Sequence, residues 1–486
     1  MIVARIQNGQ LAVMDRIRES VRLGSGLDAN NLITEETQTR ALECLKKFGQ
    51  RLANFPPGSV RAVGTNTLRN ASNSEAFLSL AEEALGHPID IIAGVEEARL
   101  IYLGVAHSMA VADQQRLVMD IGGGSTELII GNDAGPIFME SLEMGCVSIS
   151  KRFFGNGKIS LQKIAKARTF ALTELEPHVR RFKKRGWDQA IGASGTIRSV
   201  IKVISTAGWS NDYITLEGLQ KLITALAAFE HIDQIKLDGL SDERAPVFIG
   251  GVIILLATFE ALDIKQMEVS DRALREGLLH DLLGRLKDED IRDASIQHLA
   301  ERYHTDQAQA QRVKQTSHYI LKQLVDDWAL SYTEAEEWLG WAADLHEIGL
   351  DIAHHRHHQH AAYIIEHSDL AGYSQQEQRL LAALVLSHRR KLPIKLYKEL
   401  PKRISKPVKQ LAVILRLAVI LHRSRSDAIL PNFKIKLGDN DSVDLRLKPE
   451  WLEQHPLTLA DLEEEKSYLN SAGLRLNLCQ TIQKNP

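Results

Sequence analysis

The segment LVMDIGGGSTELIIG, residues 117–131, constrains the fold more than any other: two apolar strands meet at Gly122, Gly123 and Gly124. Such a pair demands a sheet, and the flanking sequence shows what that sheet packs with. Residues 2–6 and 11–15 alternate around Asn8-Gly9, a favoured turn dipeptide, and predict a hairpin. Amphipathic spacing predicts a helix over 34–53 with Thr34 as N-cap, a strand over 60–64, a helix over 74–85, a strand over 88–92 and a helix over 96–107. After the glycines, DQAIGASGTIRSVIKVI and QMEVSDRALREGLLHDLL each run strand, turn, helix. Strands alternating with helices define an α/β class. From Ala294 to about His422 helical patterns dominate, and FKIKLG, SVDLRLK and GLRLNL then predict short strands around a helix near 461–468.

At 486 residues the chain has room for about three domains, or two larger ones, at ~150 residues each. Hydrophobic residues at 44% and charged residues at 25% exclude disorder as the main state. The 59 Lys+Arg nearly cancel the 62 Asp+Glu, so no global basic field exists to hold nucleic acid or an anionic membrane. Three scattered cysteines, Cys44, Cys146 and Cys479, form no CxxC pair and imply neither a disulfide framework nor a zinc knuckle. A cytoplasmic location is the expectation, since MIVARIQNGQ lacks the pattern of a signal peptide. The apolar run 247–259 is short of the ~18 residues of a transmembrane segment and reads as a buried core helix.

Chemistry concentrates at Asp120-Ile121-Gly122-Gly123-Gly124-Ser125-Thr126-Glu127. A backbone free of side chains lets its amides approach a phosphate, and Ser125 and Thr126 add hydroxyl donors. Asp120, at a strand end, could hold Mg2+, a cation that keeps several waters. A plain hairpin with a glycine turn explains the same residues equally well. The segment is not a Walker A loop, which needs Gly-Lys-Ser/Thr, nor a Rossmann GxGxxG, because a strand follows.

Taken together, MDIGGGSTELIIG, GVEEARLIYLGV, GASGT and ALREG resemble the exopolyphosphatase and guanosine pentaphosphate phosphohydrolase family. LHEIGL and QHAAYIIEHSDLAG extend the resemblance toward its longer bacterial members. The resemblance implies two actin-like (ribonuclease H-like) α/β lobes, 1–100 and 101–286, an all-α HD-like domain, 287–423, and a small α+β tail, 424–486. It also implies a hydrolase of phosphoanhydride bonds that uses Mg2+ and acts as a homodimer. Its substrate would be inorganic polyphosphate, cleaved processively from the end, or alternatively guanosine pentaphosphate; a nonhydrolytic binder is the remaining alternative. The family's catalytic glutamate falls on Glu97 and a cleft-facing arginine on Arg69. Asp120 and Glu127 are the implied metal ligands. The glycines 122, 123 and 124 with Ser125 and Thr126, and then Ser194, Gly195 and Thr196 at a second strand-to-helix turn, are the implied phosphate contacts. Each has a bland counterpart: Glu96 and Glu97 suit the first turn of a helix, and Ser194 or Thr196 suits an N-cap. Arg272 stands where the family generally has glycine. Members open with a strand ending in Asp-x-Gly-Ser-Asn-Ser, and Met1 to Arg5 matches the strand after it. The expectation is therefore that this first phosphate loop is missing, through a late start assignment or a truncation, with an open sheet edge beside Ile2 to Ile6 and poor activity.

In LHEIGL, Glu347 occupies the place of the aspartate of an HD pair, so that domain is expected to be degenerate, without a tightly bound transition metal. The histidines at 354, 355, 357, 358 and 360 read as a solvated loop. Nine basic residues crowd 389–409 against Glu399 alone, with Pro393, Pro401 and Pro407 interrupting any single helix. Arg389, Arg390, Lys391, Lys402, Arg403 and Lys406 therefore form a candidate track for polyphosphate, or a solvated basic loop. Arg180 to Arg185 invites the same two readings.

Overall fold

The computed structural model describes residues 1–480 except 8–9, 29, 57, 108–113, 287–289, 401 and 439–441, and describes no side chain at 10, 286, 402, 403 or 480. It divides into two compact units, 1–290 and 291–486.

Among the described residues the first unit carries ten strands. The N-terminal pair, β1 (Ile2–Gln7) and β2 (Gln10–Arg16), is antiparallel with an irregularity at Val3/Ala4. Its Asn8-Gly9 turn lies outside the described residues. A separate parallel pair, β3 (Ala62–Gly64) and β4 (Ile89–Ile91), is flanked by helices Glu35–Leu52, Ser74–Leu85 and Gly94–Ala106. Thr34 holds the N-cap position of the first of these, without a side-chain cap bond. An apolar groove lined by Ile2, Ala4, Phe48, Val63 and Leu278 adjoins both pairs.

The main sheet comprises β5 (Arg116–Ile121), β6 (Thr126–Asn132), β7 (Gly135–Leu142), β8 (Gln189–Ala193), β9 (Ile214–Thr215) and β10 (Gln266–Ser270), in the order β7-β6-β5-β8-β10-β9. β5 runs antiparallel to β6 but parallel to β8, which runs parallel to β10. β5 and β6 are apolar and buried through their middles, Leu117 to Met119 and Leu128 to Ile130, as interior strands must be, with Asp120 and Glu127 at the end nearest the glycines. Helix Ala245–Leu262 packs in this core, with every residue from Phe248 to Phe259 buried. Among the described residues it is the one helix long and apolar enough to cross a membrane, and its burial in the core accounts for that composition.

Helices dominate the second unit from Ile291 to Leu421, followed by β11 (Lys434–Leu437), β12 (Ser442–Leu447) and β13 (Arg475–Gln480) with helix Pro456–Ser471 between the last two. β11 pairs antiparallel with β12, and β12 parallel with β13. Leu345, Leu415, Val443 and Leu469 belong to one continuous core.

Two expectations fail here. The histidine run is not a solvated loop: helix His357–His367 begins within it, and His357 and His358 are buried. Nor is the basic segment a loop. Helix Ile394–Glu399 is followed by helix Lys402–Leu421, which accommodates Pro407. Interior proline costs about 3 kcal/mol, but Val408, Leu411, Ala412 and Leu415 bury in the core and offset it. Lys391 and Lys406 are exposed, while the side chains of Lys402 and Arg403 lie outside the described residues. The run 180–185 ends helix Leu161–Arg185, with Arg181 and Arg185 stacked over Phe138.

Candidate active site

Sheet register assembles the site. Asp120 lies opposite Glu127 across β5 and β6, and beside Ala193 across β5 and β8. The parallel pairing therefore carries the turn after β8, Ser194-Gly195-Thr196, to the glycine turn after β5. Thr196 Oγ1 ties the two by donating to the Ile121 carbonyl at 3.1 Å. Ser194 has φ 125° and ψ 162°, a region almost reserved for glycine and costing a serine roughly 1–3 kcal/mol. Its Oγ caps helix Gly195–Thr206 by accepting from the Ile197 amide. Capping and a backbone strained toward the site thus coexist.

The glycine turn is fixed from three sides. Gly122 N–H donates to the Ser125 carbonyl, and the Gly122 and Gly123 carbonyls accept from the amides of Cys146, Val147 and Ser148 at the start of helix Cys146–Phe154. Gly145 lies so close beneath that a β-carbon there would stand 2.3 Å from the Gly123 carbonyl group. A β-carbon on Gly124 would meet Asn66 Oδ1 at 2.0 Å, so the short helix Asn66–Asn70 abuts the turn. Gly123 itself is exposed, and Thr126 Oγ1 is committed to the Met144 carbonyl at 2.6 Å.

The consecutive glutamates at the start of helix Gly94–Ala106 diverge. Glu96 pairs with Arg99 at 2.7 and 2.8 Å, and Arg99 continues to Asp281 on helix Leu274–Leu286, where Arg61 and Arg285 also converge. Glu97 turns instead toward Arg69, whose Nη1 donates to Glu97 Oε2 at 3.1 Å and to the Ile92 carbonyl at 2.6 Å. The Thr65 hydroxyl is a second partner of Glu97.

Three carboxylates, Glu97 and Glu127 buried and Asp120 half-buried, shape the electrostatics. Burial raises Glu97, and Arg69 and Thr65 only partly oppose it. Asp120 is pushed up to about 8 by burial and by the charge of Glu97, against the pull of Arg198 and Arg244. Glu127 is raised well above its ordinary value by burial, Glu97 and Asp120, while accepting from Ser141 at 2.9 Å and from Ser125. Burial and the mutual repulsion of the three outweigh the pull of Arg69, Arg198 and Arg244.

The structure brings Glu97, Arg69, Asp120, Glu127, the glycine turn and the Ser194 turn into one region of the first unit. The basic residues of 389–409 belong to the second unit. Sequence reading missed Arg198, Arg244 and the positions Thr65 and Asn66. Arg244 rests on the Ser194 turn, its guanidinium where a Gly195 β-carbon would be. Arg198 lies one helical turn after Ser194 and donates back to its carbonyl at 3.2 Å. That one-turn spacing was a readable signal; for Arg244, which precedes helix Ala245–Leu262, no local signal existed.

Residues 2–286 match the Ppx/GppA phosphatase family, and residues 291–466 match domain III of Ppx/GppA phosphatases. The guanosine-5'-triphosphate,3'-diphosphate pyrophosphatase of Pseudoalteromonas translucida is 37% identical over 476 residues, 98% of this chain and 95% of that protein. The protein of the same description from Aeromonas hydrophila subsp. hydrophila is 38% identical over 96% of this chain and 93% of its own length. Among solved structures, an exopolyphosphatase from Cytophaga hutchinsonii superposes with a TM-score of 0.52 at 25% identity, covering 58% of this chain and 93% of that one. On the strength of both matched regions and of the near full-length relatives, this chain belongs to the Ppx/GppA phosphatase family and is a hydrolase acting on phosphoanhydride bonds.

Proposed function

We propose that the chain hydrolyses guanosine pentaphosphate, releasing the 5'-terminal phosphate to leave guanosine tetraphosphate. The observation carrying this reading is the 37–38% identity, over nearly the whole chain, to two curated guanosine-5'-triphosphate,3'-diphosphate pyrophosphatases. Polyphosphate, which the basic segment favoured at the level of sequence, becomes the second reading. Its support is the likeness to the Cytophaga hutchinsonii exopolyphosphatase, which spans 58% of the chain.

In this mechanism Glu97 takes the proton of the attacking water. Its raised pKa makes it a stronger base than an exposed glutamate, and Arg69 and Thr65 fix its direction. Charge developing on the transferred phosphoryl oxygens meets the backbone amides of Gly123 and Gly124, with the guanidinium groups of Arg198 and Arg244 on the side of the Ser194 turn.

The cluster of mutually repelling carboxylates, each raised above its ordinary value, fits Mg2+. Among the described residues no three acidic, histidine or cysteine side chains converge on one point, as suits a cation held through one or two carboxylates, waters and substrate oxygens. Asp120 is the proposed ligand; Glu127, engaged by Ser141 and Ser125, would be at most a secondary one. Bound there, Mg2+ would neutralise phosphate charge.

Phosphate release from guanosine pentaphosphate and from long-chain polyphosphate, each with Mg2+, tests the assignment. The expected kcat/KM is at least tenfold higher on the nucleotide. A preference for polyphosphate would restore the second reading, and no release from either would favour a binding protein.

A further inference from the structure

The second unit encloses a cavity of about 350 Å³ between helix His357–His367, the turn at 387–390, helix Lys402–Leu421 and helix Pro456–Ser471. That size suits a small ligand. The charges around it do not cancel in pairs. Each carboxylate on its wall already has a donor: Glu347 has Arg425, Asp461 has Arg423, Glu464 has the Tyr468 hydroxyl, and Glu465 has Arg416 at 2.5 and 2.7 Å. Arg389 has no carboxylate partner among the described residues, and its Nη1 donates to His357 Nε2 at 3.3 Å. Burial lowers its pKa, and the like charges of Arg390 and Arg423 lower it further. Arg390 contacts the Tyr468 hydroxyl at 3.5 Å and likewise makes no ion pair among the described residues.

The frame that gathers these cations is rigid. Buried Arg416 donates to the carbonyls of Ser387 and Arg390. Arg390 is held at φ 62°, a left-handed conformation that costs an ordinary residue roughly 1–2 kcal/mol. Beside it, His388 Nδ1 lies 2.6 Å from the Val385 carbonyl. A carbonyl only accepts, so Nδ1 carries the proton and Nε2 presents a lone pair. His357 is pinned alike through the His354 carbonyl, its ring stacked on that of His388 with centroids 5.5 Å apart. Arg389 and Arg390, faced by the single carboxylate charge of Glu464 that no cation among the described residues pairs, leave a cationic excess next to a neutral acceptor, which describes a ligand that is anionic and also carries a proton.

We propose that this cavity binds a terminal phosphoryl group, its anionic oxygens on Arg389 and Arg390 with Arg423 nearby, and its P–O–H donated to His388 Nε2. A hydrogenphosphate has both features, whereas sulfate at neutral pH has no proton to donate. Free orthophosphate, the end of a polyphosphate and a nucleoside monophosphate share this chemistry. The site lies within the second unit, and the inference stands independently of the substrate assigned to the first.

The test is long-range proton–nitrogen NMR of the full chain with 15N-labelled histidines, His388→Gln identifying the His388 signals. Orthophosphate, sulfate, tripolyphosphate and guanosine 5'-monophosphate are titrated at pH 7 and equal ionic strength. Orthophosphate is expected to shift the His388 and His357 ring nitrogens saturably, with sulfate at least about tenfold weaker. Arg389→Gln should raise the apparent Kd at least about tenfold, as loss of a hydrogen bond to a charged group does. Should that variant fail to fold, Arg390→Gln carries the same expectation. Tighter binding of tripolyphosphate or of the nucleotide identifies the source of the phosphoryl group. Absence of a saturable shift, an equal response to sulfate, or an unchanged Kd in a folded arginine variant would overturn the proposal.

Discussion

Acidification from pH 7 to 5.5 should destabilise the second unit through its buried histidines, and His358→Gln isolates one share of that loss. His357 and His358 are 6% and 8% exposed, and burial together with Arg389 holds each down to about 4. His346 and His388 are displaced in the same direction by burial. In the unfolded chain an imidazole titrates near ~6.5. With the folded value depressed, acid protonates the unfolded state first, so stability present at neutral pH is lost as the pH falls from ~6.5 toward ~4. Linkage over that displacement gives about 1 kcal/mol between pH 7 and 5.5 for each of His357 and His358. In a unit of this size 1 kcal/mol moves Tm by about 2–4 °C. Scanning calorimetry of the wild type and of His358→Gln at both pH values should therefore show the variant losing about 3 °C less on acidification. Parallel falls in the two proteins would refute the reasoning, because they would mean that His358 takes up its proton without unfolding.

The active-site assignment makes further demands. Glu97→Gln should lower turnover by ~100-fold to ~10,000-fold with little change in substrate binding; near-normal steady-state rates would remove Glu97 from the role of base. Gly145→Ala, whose β-carbon would press on the Gly123 and Gly124 backbone, should displace the glycine turn and cost at least ~tenfold in kcat/KM, and full activity would mean that the turn's position is not critical. Asp281→Asn leaves Arg61, Arg99 and Arg285 without their shared counter-charge and should cost about 3–5 kcal/mol in urea denaturation, a loss under ~1 kcal/mol counting against the network. Neutralising Lys391 and Lys406 should leave guanosine pentaphosphate cleavage unchanged; a parallel loss on both substrates would assign these lysines to the fold.

Much of the fold was legible because apolar periodicity is a local property. Helix Ser74–Leu85 has the bounds its spacing predicts, and the strand-turn-helix order around Ser194 and Ser270 is as read. The glycine turn stayed ambiguous because a hairpin and a phosphate-facing turn need the same residues, and only the approach of Asn66 and helix Cys146–Phe154 shows what surrounds it. Arg198 and Arg244 escaped notice because their proximity to Asp120 comes from strand pairing and helix packing far apart in sequence. The histidine run misled for another reason. Its polarity suggested solvent, yet a neutral imidazole with one nitrogen on a backbone carbonyl is easily buried, as His357 is. Pro407 was read as a break, although tertiary burial decides whether a helix survives a proline.

The pairing of β5 also dictates how this chain can vary. Asp120 owes its position to simultaneous registers with Glu127 and Ala193, and side chains along a strand alternate with period two. Exchanging Val118 or Met119 for another apolar residue leaves that parity intact. Removing either one reverses it, sending Asp120 to the opposite face and Ile121 toward the cleft. Between Arg116 and Thr126, therefore, length is inherited more strictly than composition. An alignment that opens a gap there has misplaced its residues, or has reached a relative that no longer uses this aspartate.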